Sequence, residues 1–257
     1  MKWDHMQSAK EVCRHFLYKA GLGMVLSAIR QQRGYKVSHL RRAGVAERFR
    51  AIYGLGVWVN SSDQISSSGK GSEIAATGEL FKELPKLVAR LDCTVFLDIG
   101  CGDWNWMQRL ELPCDYVGVD IVPEVIESNK RFERSGVRFL VANAIEDPLP
   151  NSDIAFCREV LFHLSFHDVF AVIENVRRSA RWLVATTDTR IWFNSDIPTG
   201  DFRKINLQRP PFSFPPPRVR IADAVVSRGR MLGVWSIDQL RRACKIDLDS
   251  RSLKNDC

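Results

Sequence analysis

Between residues 93 and 188 short apolar runs alternate with helical spacings, the arrangement of a parallel sheet built from βαβ units. The runs predict strands at Thr94 to Ile99, Tyr116 to Ile121, Arg138 to Ala142, Asp153 to Cys157 and Trp182 to Thr187. Ser165, with Asp168 three residues on, opens a helix whose apolar face is Phe166, Val169, Phe170, Ile173 and Val176. Thr77 to Leu91 predicts a second helix, and Val12, Phe16, Leu17, Ala20 and Met24 repeat at helical spacing near the start. The Ser- and Gly-rich stretch from Asn60 to Ser72 reads as a flexible loop. Asn194 to Pro217 holds six of the 11 prolines and excludes regular helix or central strand; it reads as a rigid lid. Two more strands follow, Val219 to Val226 and Met231 to Ile237, joined by a turn at Ser227 to Arg230, and Asp238 is placed to cap a short last helix.

At 257 residues the chain fits one α/β domain with additions. Its 45% apolar and 26% charged residues are those of a globular protein and exclude disordered, collagen-like and coiled-coil classes. The apolar run from Ala20 to Ile29 is far short of the ~20 residues that span a bilayer, and Asp4 and Glu11 ahead of it argue against a secretory signal. Seven cysteines form no CxxC pair, which points to reduced thiols, a cytoplasmic location and no metal site. The net charge of +7 resides in residues 1–50, where eleven Lys and Arg face three acids. That arm reads as a solvated basic helix, able to make at most weak contact with an anionic membrane surface or partner, so nucleic-acid binding does not follow from the charge. The organisation expected is a basic helical arm at 1–50, a cap and first helix at 51–92, and a core at 93–257 carrying the lid at 194–217.

The candidate chemistry begins at Asp98-Ile-Gly100-Cys101-Gly102-Asp103-Trp104, where the first strand ends in an acid and turns through glycines into the next element. Glycines there permit positive φ and close approach of a ligand to the backbone. Eighteen residues past Gly102 the second strand ends in Asp120, where a carboxylate can accept from both hydroxyls of a ribose. Adjacent strand ends of this kind suit an adenosine-containing cofactor. A dinucleotide fingerprint needs glycine where Asn105 stands, and Lys70 lacks the P-loop spacing, which argues against pyrophosphate binding and ATP hydrolysis.

Asp98-x-Gly100-x-Gly102 resembles motif I of the class I S-adenosylmethionine-dependent methyltransferases. That resemblance implies a Rossmann-like α/β fold: a seven-stranded, mostly parallel sheet with an antiparallel last strand, here with an N-terminal helical cap. It also implies that Gly100 and Gly102 pass under the methionine portion of the cofactor, that Asp120 holds the ribose, and that Asn143 stands where many members place an Asp against adenine. Cys101, Ile121 and Ala144 flank these positions, and Cys157 and Arg158 would lie beside the methionine at the substrate mouth. Trp104 departs from the family, which has a third glycine there. Gly102 to Met107, Cys157 to Phe166 and Gly200 to Leu207 further resemble an incompletely characterised group of bacterial small-molecule or sugar methyltransferases.

On the acceptor side, His163 is a candidate general base that could equally pack the loop before the Ser165 helix, because an imidazole with a pKa near 6.5 suits proton abstraction. Arg158 and Glu159 either orient substrate or pair with one another. Asp201, Arg203 and Asn206 form a polar cluster in the lid that either recognises a hydroxylated or anionic substrate or stabilises the loop itself, and Trp58 lies where the family places a cap. The reading is methyl transfer from S-adenosylmethionine to an oxygen, or in second place a nitrogen, of a small metabolite or sugar. Its rivals are a non-catalytic binding module of the same fold, an RNA methyltransferase, which the absence of an Asn/Asp-Pro-Pro motif at Cys157-Arg158-Glu159-Val160 disfavours, and a nucleotide-dependent oxidoreductase.

Overall fold

The computed structural model describes residues 12–59, 63–225 and 227–241; Asp4, Glu11, Val226, Cys244 and Cys257 lie outside them. Seven strands, β1 (Val95–Ile99), β2 (Asp115–Asp120), β3 (Val137–Val141), β4 (Ser152–Cys157), β5 (Ala180–Asp188), β6 (Val219–Ala222) and β7 (Arg230–Ser236), form one sheet in the order β3-β2-β1-β4-β5-β7-β6. The first five run parallel, and β7 is antiparallel to both β5 and β6. The strands are those that the sequence pattern predicts, and the sheet they form is the one the resemblance implies. The helices are α1 (Gly23–Gln32), α2 (Val45–Gly54), α3 (Gly78–Arg90), α4 (Pro123–Asn129) and α5 (Phe166–Ser179), and residues 12–19 are also helical.

Strand periodicity explains why both faces of the sheet are dry. Phe96, Ile154, Phe156, Val184, Leu232 and Val234 point to one side, where Leu80, Leu84, Leu87 and Val88 of α3 cover them. Their neighbours Leu97, Ile99, Ala155, Cys157, Leu183, Ala185 and Trp235 point to the other, under Val169, Val172, Ile173 and Val176 of α5. Each buried Leu, Val or Ile contributes about 2 kcal/mol from lost apolar exposure, so these two faces anchor the strand ends that carry the site. Ser165 caps α5 by accepting from the Asp168 amide at 3.1 Å, as its spacing predicts.

Four expectations need correction. The arm is not merely solvated: Arg30 pairs with both carboxylate oxygens of Asp201 at 2.6 and 2.9 Å, Tyr18 donates to the same group at 3.0 Å, and Arg48 reaches the Thr199 carbonyl at 3.0 Å. Lys19, Arg33, Lys36, Arg41 and Arg42 do stay exposed. The described part of the Ser/Gly stretch is not loose either, because Asp103 accepts from the Ser66 hydroxyl at 3.0 Å and from the Ser67 amide at 2.6 Å. β6 stops at Ala222, well short of Val226. Finally, residues 237–241 are helical with Asp238 inside; Ser236 caps them, its hydroxyl accepting from the Gln239 amide at 3.3 Å.

The proline-rich segment has no regular structure, and side-chain amides replace the backbone donors that proline lacks. Asn194 donates to the carbonyls of Asn206, Arg209 and Pro210 at 2.8, 3.2 and 2.8 Å, while the Trp235 indole donates to Pro215 O at 2.8 Å.

Candidate active site

β1 is the strand at which chain order reverses, with β2 on one side and β4 on the other, and open α/β sheets bind ligands beyond the carboxyl ends of such strands. A cavity of about 860 Å³ opens there, a size in the range of small-molecule sites. Its floor is the turn after β1, where Gly100 and Gly102 have φ of 69° and 57°. A Cβ on Gly102 would stand 2.3 Å from Ser68 Oγ, so the cap loop closes directly over the glycine. Trp104 follows with φ 55°, a glycine-favouring conformation, held in place by ring contacts with Tyr116, Phe132 and Phe139.

Asp120 organises this turn. One carboxylate oxygen accepts from the Gly102 amide at 3.1 Å and the other from the Val122 amide at 3.0 Å. A carboxylate offers about four lone-pair sites, so both oxygens retain acceptor capacity on the cavity side. Burial pushes its pKa up to about 6, against the pull of those amides. Asp98 accepts from the Tyr116 hydroxyl at 2.7 Å, and burial raises it to about 7.

The opposite wall is aromatic. The His163 ring lies tilted against Trp58 and Phe202, with centres 4.9 and 5.7 Å away, and its Nδ1 lies 2.9 Å from the Asp201 carbonyl oxygen. A carbonyl only accepts, so Nδ1 carries the proton and Nε2 is left with its lone pair. Burial lowers this imidazole to about 4, keeping it neutral at physiological pH. Arg158 forks onto Asp223 at 3.1 and 2.9 Å, and Glu159, at φ 61°, pairs with Arg230 at 2.7 Å and with Arg158 at 3.5 Å.

Residues 97–182 match the family model described as a methyltransferase domain. This segment is similar to methyltransferase domains. No curated protein matches the chain. Among solved structures, it is similar to the methyltransferase domain of bacterial CtHen1, at 14% identity over 63% of this chain and 99% of that one with a TM-score of 0.46. It is also similar to magnesium protoporphyrin IX methyltransferase from Synechocystis PCC 6803, at 16% over 55% and 66% with a TM-score of 0.40. A third is an S-adenosylmethionine-dependent methyltransferase from Clostridium acetobutylicum ATCC 824, at 13% over 43% and 50% with a TM-score of 0.38. The chain thus spans half to two thirds of the latter two proteins. No described helix is long and apolar enough to cross a membrane.

Of the residues singled out in the sequence, the fold brings Asp98, Gly100, Cys101, Gly102, Asp120, Ile121, Asn143, Ala144, Arg158, Glu159, His163, Trp58 and Asp201 to the cavity wall. Four stand elsewhere. Trp104 and Cys157 are buried in the two cores, Arg203 is fully buried with its guanidinium on the Leu164 carbonyl and the Phe166 ring, and Asn206 ties Ile191 to Gln208. Asn143 reaches the cavity while its side chain bonds Ile145 N at 3.1 Å and Glu146 at 3.1 Å. Asp201 turns its carboxylate to the arm, so its contribution to the cavity is conformational.

Sequence reasoning missed Asp103, Ser68, Tyr53 and His39. Asp103 lay within the quoted motif, and its acid was a legible signal; the others depend on contacts across distant segments. Asp103→Ala is expected to raise amide exchange at Ser67 at least tenfold in hydrogen–deuterium exchange, because the charge-assisted bonds from the Ser67 amide and the Ser66 hydroxyl, about 1.5–3 kcal/mol each, are lost. Unchanged protection would show that the cap is held by packing instead.

Proposed function

We propose that this chain transfers a methyl group from S-adenosylmethionine to an oxygen, and only in second place to a nitrogen, of a small hydroxylated metabolite or sugar. The observation that carries the reading is the Asp120 carboxylate, fixed by two amides beside the glycine turn with acceptor capacity to spare. The positive-φ turn at Gly100 and Gly102 fits the methionine portion, Asp120 the ribose, and the wall at Asn143 and Ala144 the adenine. When bound, the cofactor supplies a methyl group on a positively charged sulfur.

The protein's own work is alignment and proton management. With the cofactor held there, His163 Nε2 would accept the acceptor hydroxyl's proton while that oxygen takes the methyl group the cofactor would supply. The imidazolium then loses its proton to solvent. Trp58, Phe162 and Phe202 pack around the His163 ring and hold its orientation. Arg158 and Glu159, each held by another charge, keep the wall rigid.

Titration of the purified chain with S-adenosylhomocysteine tests the reading, with micromolar binding expected and no heat at millimolar ligand overturning it. The same titration should depend on pH. Ribose hydroxyls donate to ionised Asp120, so bound ligand lowers its pKa and affinity falls about tenfold per unit below pH 6. Asp120→Asn should abolish that slope; a slope that survives assigns the titration to Asp98, near 7.

A further inference from the structure

The outer face of the arm is built the wrong way round for a helix that meets only water. Leu22, just before α1, and Val25 and Ile29 within it stand three and four residues apart, on one face, and are 45, 56 and 41% exposed. Small and polar residues occupy the opposite, inward face. A Cβ on Gly23 would stand 2.8 Å from the Tyr18 ring, Ser27 is buried, and Arg30 holds Asp201. A surface helix ordinarily buries its apolar stripe, so α1 turns outward the side chains that water disfavours. Ring contacts tie two more exposed aromatics to the same arm. Phe16, 62% exposed, meets His15, which leads through Phe193 to Trp192, 64% exposed.

Charge decides what covers this face. Residues 12–46 carry seven Lys and Arg and no Asp or Glu. Asp201 neutralises Arg30, whereas Lys19, Arg33, Lys36, Arg41 and Arg42 are exposed. Lys19 stands three residues before Leu22, and Arg33 ends α1 four residues after Ile29, so bases bracket the apolar stripe. We propose that this face of the arm docks on an anionic lipid bilayer, with Leu22, Val25 and Ile29 at the acyl boundary and the flanking bases on the headgroup phosphates. At ten residues α1 is about half the length that spans a bilayer, so it lies in the plane of the surface. A second copy of the chain would set the same bases against one another, and a nucleic acid would find aliphatic side chains where its bases need rings to stack on. The proposal stands apart from the methyl-transfer reading.

Co-sedimentation of the full chain with vesicles tests it, equal parts of phosphatidylglycerol and phosphatidylcholine being set against phosphatidylcholine alone. At about 0.1 M salt, partition onto the anionic vesicles should be at least tenfold stronger, and most of it should be lost near 1 M, where charges are screened beyond about 3 Å. Val25→Glu combined with Ile29→Glu should weaken partition at least tenfold with the melting temperature unchanged, because both side chains are exposed. Lys19→Gln combined with Arg33→Gln, which leaves the apolar stripe intact, should weaken it as well. No binding to the anionic vesicles, equal partition onto both kinds, or undiminished partition of the folded Val25 and Ile29 variant overturns the proposal. A dimer in sedimentation velocity that this variant dissociates also overturns it, giving the face to a second copy.

Discussion

Asp120→Ala is expected to weaken S-adenosylhomocysteine binding about a hundredfold or more at pH 7.5 in isothermal titration. Hydrogen bonds to a charged acceptor contribute about 1.5–3 kcal/mol each, and two ribose hydroxyls meet this one carboxylate in the proposed complex, so a loss near 3 kcal/mol is a conservative sum. The alanine also frees the Gly102 and Val122 amides, which lie at 3.1 and 3.0 Å from the carboxylate, and so loosens the turn that the methionine portion crosses. Asp120→Asn separates the two effects: its amide oxygen still receives one backbone donor, and it should retain more affinity than alanine. An alanine variant that stays folded and binds as tightly as the parent would remove Asp120 from the cofactor site, and with it the main support for methyl transfer.

Asp201→Ala should lower stability by about 3–5 kcal/mol, the usual consequence of deleting one partner of a buried ion pair, and the melting temperature by roughly 10 °C. The Asp201 side chain is 3% exposed and receives both fork nitrogens of Arg30 together with the Tyr18 hydroxyl, with Arg14 at 4.0 Å. The Arg30 bonds and charge hold the Asp201 pKa below the ordinary carboxylate value despite the opposing cost of burial. A depressed acid contributes stability that is fully present above its unfolded pKa, about 4, and lost as pH falls through its lower folded value. The difference in melting temperature between parent and variant should therefore be full at pH 7 and shrink below pH 4. A difference independent of pH would mean that the carboxylate acts through packing and not through its charge.

Asp201 also shows why the acceptor side was hard to read. As a sequence feature, Gly200-Asp201-Phe202-Arg203 is a polar stretch in a proline-rich lid, equally open to substrate contact and to stabilising the loop itself. Its carboxylate instead meets Arg30, 171 positions away, and Arg203 turns inward to Leu164 and Phe166. Nothing local distinguishes a charge that faces solvent from one that finds a buried partner. The same holds for the arm, whose excess of base resembled a solvated face until Arg30 and Arg48 were seen holding the Thr199 and Asp201 region. Asp103 is the intermediate case, adjacent to the glycine turn in sequence yet serving Ser66 and Ser67 of the cap.

The sequence by itself determined the strands and the positions of Asp98, Gly100, Gly102 and Asp120 at or just beyond their ends. It could do so because strand periodicity, positive-φ glycines and strand-terminal acids are short-range requirements, each satisfied within a few residues of chain. Tertiary structure alone decided which polar residues face the cavity and which serve as struts, and it alone brought His39 beside His163 on neighbouring carbonyls. Those choices depend on partners more than a hundred residues apart for His39 and Arg30, and on burial that changes the protonation of an imidazole or carboxylate. Neither distance in space nor desolvation is written in local spacing.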